Sequence, residues 1–163
     1  MKLSDEGLVK RYRTDIKSAQ GVIAMATVLS LIYIIEGAIS GSFDFYFSTA
    51  VTAFFLKGAE FSPQFSGSFP AAVSVAAVAA YTALFVAAVL LAKRNTKNLW
   101  FGLILYLIDS ISLIVMDISG YFGAFKKEDV IDLIFHAFII VFLIVGVLAV
   151  KRLEKRGIKP EPI

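Results

Sequence analysis

Four long apolar blocks alternate with short polar segments along the chain. The blocks cover residues 21–40, 70–92, 99–119 and 131–150. Each is about as long as the roughly 20 residues that a helix needs to cross the hydrocarbon layer of a bilayer. The pattern therefore predicts an all-α integral membrane protein, a four-transmembrane-helix bundle that forms a single domain over residues 1–163.

A shorter apolar segment, residues 43–56, lies between the first two blocks. It is too short for a span, and a fifth crossing would break the distribution of basic residues described below. We therefore expect a short helix that either lies in the outer interface or forms a re-entrant hairpin. Residues 57–70, which contain Gly, Ser and Pro, are typical of a loop, and Pro70 suits the first turn of the second span.

The basic residues are concentrated on one side of the predicted membrane. Thirteen of the sixteen lysines and arginines precede the first block, lie between the second and third, or follow the fourth. The positive-inside rule then places both termini in the cytoplasm. Short loops and this strong bias favour the cytoplasmic membrane of a cell, with the lipid bilayer as the main partner.

The two terminal segments are expected on the cytoplasmic side. Residues 1–20 are interpreted either as an amphipathic helix on the membrane surface, with Leu8, Val9, Tyr12 and Ile16 turned toward the lipid, or as a solvated tail. Residues 151–163 are expected to form a cytoplasmic tail.

The second block is rich in alanine. Helical spacing aligns one stripe of small side chains: Ala72, Ala76, Ala80, Ala83 and Ala87. Because small residues let helices approach closely in lipid, we expect this stripe to pack against at least two other helices.

Composition limits the kinds of catalytic, metal and binding sites that the chain can form. The chain is 58% hydrophobic, with a mean hydropathy of +0.80. It has no cysteine, which excludes disulfides, thiolate metal sites and a cysteine nucleophile. The single histidine means that a metal site would depend on carboxylates. A formal net charge of only +3 gives no reason to expect nucleic-acid binding.

The third block contains an aspartate, Asp109, near its middle. At 100° per residue it shares one face with Gly102, Tyr106, Ser112, Met116 and Gly120, and the opposite face carries Leu103, Ile104, Leu107, Ile111 and Ile118. A carboxylate at that depth is costly unless it is paired, hydrated or protonated, so its face must look into the bundle or into a wet cavity. From sequence alone, replacing Asp109 with leucine is expected to change stability little, or to raise it.

Other ionisable residues lie near the outer ends of the blocks. Asp129, Asp132 and His136 share one face of the fourth block, and their spacing places His136 one turn deeper than Asp132. We expect an outward-facing polar pocket built by the first, third and fourth spans from these residues: Glu36, Asp109, Asp117, Asp132 and His136. Each also has a structural interpretation, as an interfacial charge or as a hydrogen-bonded core residue.

Three classes of function fit this pattern. The first is a transport or channel component for a small ion or solute. A carrier of only four spans would act as a homo-oligomer or within a larger membrane complex. The sequence assigns no catalytic residue. The alternatives are a non-catalytic accessory or interaction protein and an intramembrane acid-dependent hydrolase. No cofactor is expected beyond a divalent metal, for which Asp117, Asp132 and His136 are weak candidate ligands.

Overall fold

The computed structural model describes residues 5–41, 47–58, 70–119 and 127–160, without the side chain of Glu128. Within these ranges there is no β-strand, and the all-α class is confirmed. A 3₁₀ turn, Thr96–Asn98, joins the third helix to the fourth. The five helices are α1 (Asp5–Ser40), α2 (Ala50–Lys57), α3 (Ala71–Arg94), α4 (Leu99–Ile118) and α5 (Lys127–Lys155).

Four helical stretches in the described ranges are long and apolar enough to cross a membrane. They cover the four apolar blocks of the sequence to within one residue, and the architecture is consistent with a membrane-protein bundle. The stretches are Asp5–Ser40, Ala71–Arg94, Thr96–Ile118 and Asp129–Lys155.

The first helix is longer than its apolar block. It runs without a break for 36 residues, about 54 Å at 1.5 Å per residue. Tyr12 and Ile16 are buried in the main core, and Leu8 and Val9 pack against it. The residues before position 21 therefore continue α1 and pack on protein, which differs from both the surface helix and the solvated tail expected from the sequence.

The short helix α2 occupies the second half of the segment predicted at 43–56; residues 43–46 lie outside the described ranges. The chain leaves α1 at Gly41, whose positive φ of 70° and N–H bond to Gly37 O, 3.0 Å, form a left-handed helix end. Leu56 of α2 packs with Tyr33 of α1 and Val78 of α3 in a second apolar cluster. Thus α2 lies against the bundle.

Three contacts bring the two described ends of the chain and the α3–α4 connection to one end of the bundle. Arg156 Nη1 lies 2.8 Å from Asp5 Oδ1, which joins α5 to the start of α1. Thr96 donates to the carbonyl of Pro160 at 3.3 Å. Lys97 and Glu154 form an ion pair of 2.6 Å. This end also carries most of the basic residues.

Apolar side chains from α1, α3, α4 and α5 fill the interior. Gln20 of α1 is buried among them and donates to the carbonyl of Ala92 at 2.8 Å, which satisfies one of the free carbonyls at the end of α3. The main core includes these fully buried residues: Ile16, Ile23, Phe85, Leu99, Tyr106, Ile139, Leu143 and Leu153.

The alanine stripe of α3 does not pack as expected. Ala72, Ala76, Ala80 and Ala83 are exposed, and Ala87 is only partly buried. The other side of α3 faces the bundle, through Ser74, Val78, Phe85, Ala88 and Ala92. The physical reason is volume: Phe85 and Val78 fill the space between helices, and a row of methyl groups cannot.

Large aliphatic side chains cover the outward faces of the long helices. They include Ile35 on α1, Val75 on α3, Ile111 on α4 and Ile134 on α5, each more than half exposed. The pattern reverses the ordinary soluble surface, in which exposed apolar patches stay small.

Candidate functional site

Asp109 lies at the eleventh of the twenty positions of α4, halfway along the helix. Its side chain is 0% exposed. As the helical phase predicts, Gly102 and Tyr106 are buried beside it, whereas Ile104 and Ile111 face outward. Leu103 departs from the prediction, because it is buried at the edge of the inward face.

Four donors surround the Asp109 carboxylate. Oδ2 accepts from the N–H of Ala50 at 3.0 Å and contacts His136 Nε2 at 3.2 Å. Oδ1 accepts from the N–H of Val51 at 3.1 Å and from the hydroxyl of Tyr81 at 2.9 Å. A carboxylate has about four lone-pair sites, so the protein itself fills its accepting capacity.

Two of these donors form the N-terminus of α2. The first N–H groups of a helix have no partner within it, and a nearby carboxylate also interacts favourably with the positive end of the helix dipole. The residue before α2, Thr49, provides no side-chain cap. Asp109 therefore caps α2 from a different helix.

The residues that precede α2 are bound by side chains close to Asp109. Ser30 of α1 accepts from the N–H of Thr49 at 3.0 Å and donates to Ala26 O at 2.9 Å. The N–H of Phe47 lies 3.3 Å from Asp132 Oδ1 of α5. Ser30, Asp109 and Asp132, from α1, α4 and α5, thus bind this short segment directly, and Tyr81 of α3 contributes through its bond to Asp109.

His136 connects the deep carboxylate with Asp132. Its side chain is 2% exposed, and its ring stacks on Tyr106 with centroids 5.2 Å apart. Nδ1 lies 3.0 Å from the carbonyl of Asp132 and 3.6 Å from its carboxylate. Since that carbonyl can only accept, Nδ1 carries a proton and donates it.

One further proton lies between His136 Nε2 and Asp109 Oδ2. On the nitrogen it gives an ion pair; on the oxygen it gives two neutral groups. The pair has no net charge in either position, which is how a buried carboxylate is tolerated away from water. The arrangement can therefore hold a proton, and Asp132, 16% exposed, lies between it and the surface.

The remaining predicted site residues are placed differently. Glu36 is exposed on α1, and no described hydrogen bond or ion pair joins its carboxylate to the Asp109 cluster. Asp117 lies within electrostatic reach of Asp129, Asp132 and His136, but its buried Oδ2 has no hydrogen-bond partner. The structure thus joins Asp109, Asp132 and His136 by direct contacts and leaves Glu36 outside.

In the part of the chain that the structure describes, nothing supports the predicted metal site. Among the described residues, no group of three or more carboxylate, imidazole or thiolate side chains is arranged to hold a metal ion. Asp117, Asp132 and His136 are all described. The nitrogens of His136 face Asp109 and Asp132 as hydrogen-bond partners, which leaves neither free to bind a cation.

Sequence reasoning missed Tyr81 and the N-terminus of α2 as partners of the buried acid, and Ser30 as the acceptor for the N–H of Thr49. Backbone N–H groups have no signature in residue type, and a tyrosine in an alanine-rich block gave no reason to point at Asp109. One signal was present: the small polar pair Ser48 and Thr49 before an apolar run is typical of a helix start.

Comparisons with protein-family models, with curated proteins and with solved structures give no match for this chain. The interpretation of its function therefore depends on the geometry of the chain itself.

Proposed function

We propose that this protein is an integral membrane protein with four spans and both termini in the cytoplasm. Support comes from the aliphatic outer faces of the four long helices, which suit lipid better than water. The basic residues gather at the end where the two described chain ends meet, and the positive-inside rule assigns that end to the cytoplasm.

In this proposal α2 is a re-entrant helix. Its first residue, Ala50, meets Asp109 halfway along α4, and Leu56 near its other end packs with Tyr33 and Val78, closer to the outer ends of α1 and α3. Non-helical backbone is tolerated at that depth only where protein satisfies its polar groups, and Ser30, Asp109 and Asp132 do so here.

The function that this geometry supports best is that of a non-catalytic component of a membrane assembly. A single observation carries it: the four bonds to Asp109 come from α2, α3 and α5, and none is left for a substrate or an ion. A hydrolytic dyad needs two carboxyl groups that share a proton, whereas Asp109 shares its proton with an imidazole.

Two measurements test this proposal together. Extracted from its native membrane in mild detergent, the protein is expected to migrate with a second polypeptide, well above its own 17.8 kDa. Reconstituted alone into vesicles loaded with a pH-sensitive dye, it is expected to give no proton flux above that of empty vesicles. Migration as a single chain combined with flux would overturn the accessory function.

One observation favours a second candidate, a component of proton-coupled transport. Asp132 and His136 link a partly exposed carboxylate to the fully buried Asp109, which is a route for a proton from the surface to mid-bundle. Transport would require the N-terminus of α2 to move away from Asp109, because the N–H groups of Ala50 and Val51 bind the carboxylate. Flux that disappears in Asp109→Asn but persists in Glu36→Gln would establish this candidate.

A further inference from the structure

The cytoplasmic ends of α4 and α5 carry an exposed cation and aromatic ring in contact. The ammonium of Lys151 lies 4.7 Å from the centroid of the Trp100 ring, and Trp100 is 44% exposed. Trp100 is the second residue of α4, and Lys151 lies one turn before the end of α5. Tryptophan at such a level is typical of the boundary between headgroups and acyl chains.

The charge at this corner is not cancelled by its acidic neighbour. Glu154, the acid closest to Lys151 along α5, pairs with Lys97 at 2.6 Å. Lys155 lies one turn beyond Lys151 on the same face of α5 and is exposed. Lys151 and Lys155 therefore lie on one exposed face of α5, and the Lys151 ammonium lies over the indole ring.

Two rows of exposed aliphatic side chains lead away from this corner toward mid-bundle. At helical spacing the row on α4 starts at Trp100 and the row on α5 starts at Lys151. The rows consist of Ile104, Leu107 and Ile111 on α4, and of Leu148, Ile144 and Val141 on α5. A ligand that fits both parts has an anionic head and long apolar chains.

We propose that Trp100, Lys151 and Lys155 form a binding site for an anionic phospholipid. The two ammonium groups hold the phosphate, and the acyl chains lie along the aliphatic rows of α4 and α5. Charge complementarity and this continuous apolar surface select a lipid over a soluble anion. The inference depends on the proposed membrane insertion.

The chain offers a reporter at the site, because Trp100 is its only tryptophan. Its fluorescence would be measured in phosphatidylcholine vesicles that contain a fixed fraction of lipid brominated near the top of the acyl chain, since bromine quenches tryptophan on contact. Brominated phosphatidylglycerol is expected to associate with Trp100 up to about thirtyfold more strongly than brominated phosphatidylcholine, because two basic residues near an anionic headgroup contribute about fivefold each.

Matched lysine variants separate a site from general attraction. Lys151→Gln and Lys155→Gln should each reduce the preference toward unity, with quenching expressed relative to the unquenched signal of the same variant. Lys93→Gln removes an exposed charge at the same end of the bundle, on α3, and should keep the preference. Equal losses in all three variants, or displacement of the lipid by inorganic phosphate, would overturn the proposed site.

The same data distinguish the two levels of the proposal. Equal quenching by both brominated lipids would refute the headgroup site and leave membrane insertion intact. No quenching by either lipid would contradict the insertion itself, because an exposed Trp100 at the bilayer boundary must meet acyl chains.

Discussion

At the scale of single residues, Asp109 resolves the conflict between a charged group and an apolar helix. Burial of a lone carboxylate is prohibitive, but two amide N–H groups, a phenol and an imidazole replace the water that it gives up. These bonds reverse the expectation from sequence that leucine would be tolerated at this position. Removal of the Asp109 carboxylate would leave several buried donors without a hydrogen-bond acceptor.

Asp109→Asn is expected to destabilise the protein by about 1–3 kcal/mol, the cost of one buried polar group left without a partner. Whichever way the new amide turns, its NH₂ group faces the N–H of either Ala50 or Val51. Thermal unfolding in detergent measures the loss, and faster hydrogen exchange at the start of α2 locates it. Glu36→Gln, the same change on an exposed residue, should leave both unchanged; equal effects of the two variants would refute the capping role.

Ser30→Ala tests the second anchor of the same segment. The hydroxyl of Ser30 is the acceptor for the buried N–H of Thr49, so its loss should also cost about 1–3 kcal/mol. Ser112 is the matched control, since its hydroxyl donates only to Ile108 O of its own helix. Ser112→Ala should shift the unfolding midpoint little. If Ser30→Ala behaved like Ser112→Ala, the Thr49 bond would contribute nothing to stability.

At the scale of helices, α1 and α5 are in close contact at Gly146. A Cβ at this position would clash with Cβ of Ala19 and lie 3.4 Å from the carbonyl of Asp15. The backbones of α1 and α5 are therefore so close here that only the hydrogen side chain of glycine fits between them. Such contacts are the usual way in which helices associate in lipid, where hydrophobic attraction between them is absent.

Gly146→Ala should therefore destabilise the bundle by about 1–3 kcal/mol through overpacking. Gly21→Ala is the control: it lies in the interior of α1, and a Cβ there would meet no atom within 4 Å. That variant should gain about 0.5–1 kcal/mol, because alanine loses less backbone entropy in a helix than glycine. Unfolding midpoints that move in the same direction would contradict the close approach.

The same helices show what can be deduced from sequence and what cannot. The orientation of α4 could be predicted from the sequence, because one aspartate among aliphatic residues fixes its inward face. The orientation of α3 could not be predicted, since lipid and a protein interior accept alanine equally well. Only the volume of Phe85 distinguishes the inward face of α3 from its outward face. The extension of α1 down to Asp5 depends on burial of Tyr12 and Ile16 by other helices, which local pattern cannot reveal.

At the scale of the whole molecule, the polar network joins α2 and the residues before it directly to α1, α4 and α5, and to α3 through the bond of Tyr81 to Asp109. Ser30, Tyr81, Asp109 and Asp132 come from α1, α3, α4 and α5, so the anchoring of α2 requires the complete bundle. In lipid, where apolar packing between helices discriminates weakly, such bonds favour one arrangement of the four helices over others.

Single-cysteine labelling tests the threading of the whole chain, and the absence of native cysteine makes it direct. Ser40 and Lys93 are exposed at opposite ends of the bundle. In intact cells, a membrane-impermeant maleimide should label Ser40→Cys, and it should reach Lys93→Cys only after the membrane is opened.

Lys155→Cys adds a constraint that does not depend on the positive-inside rule. Lys97 pairs with Glu154, one residue away from Lys155, so the end of α5 and the α3–α4 connection lie at the same end of the bundle. Lys155→Cys must therefore behave like Lys93→Cys, whichever side that is. If these two label together but from outside, the proposed orientation is inverted and the fold stands. If they label from opposite sides, the arrangement of the helices itself is wrong.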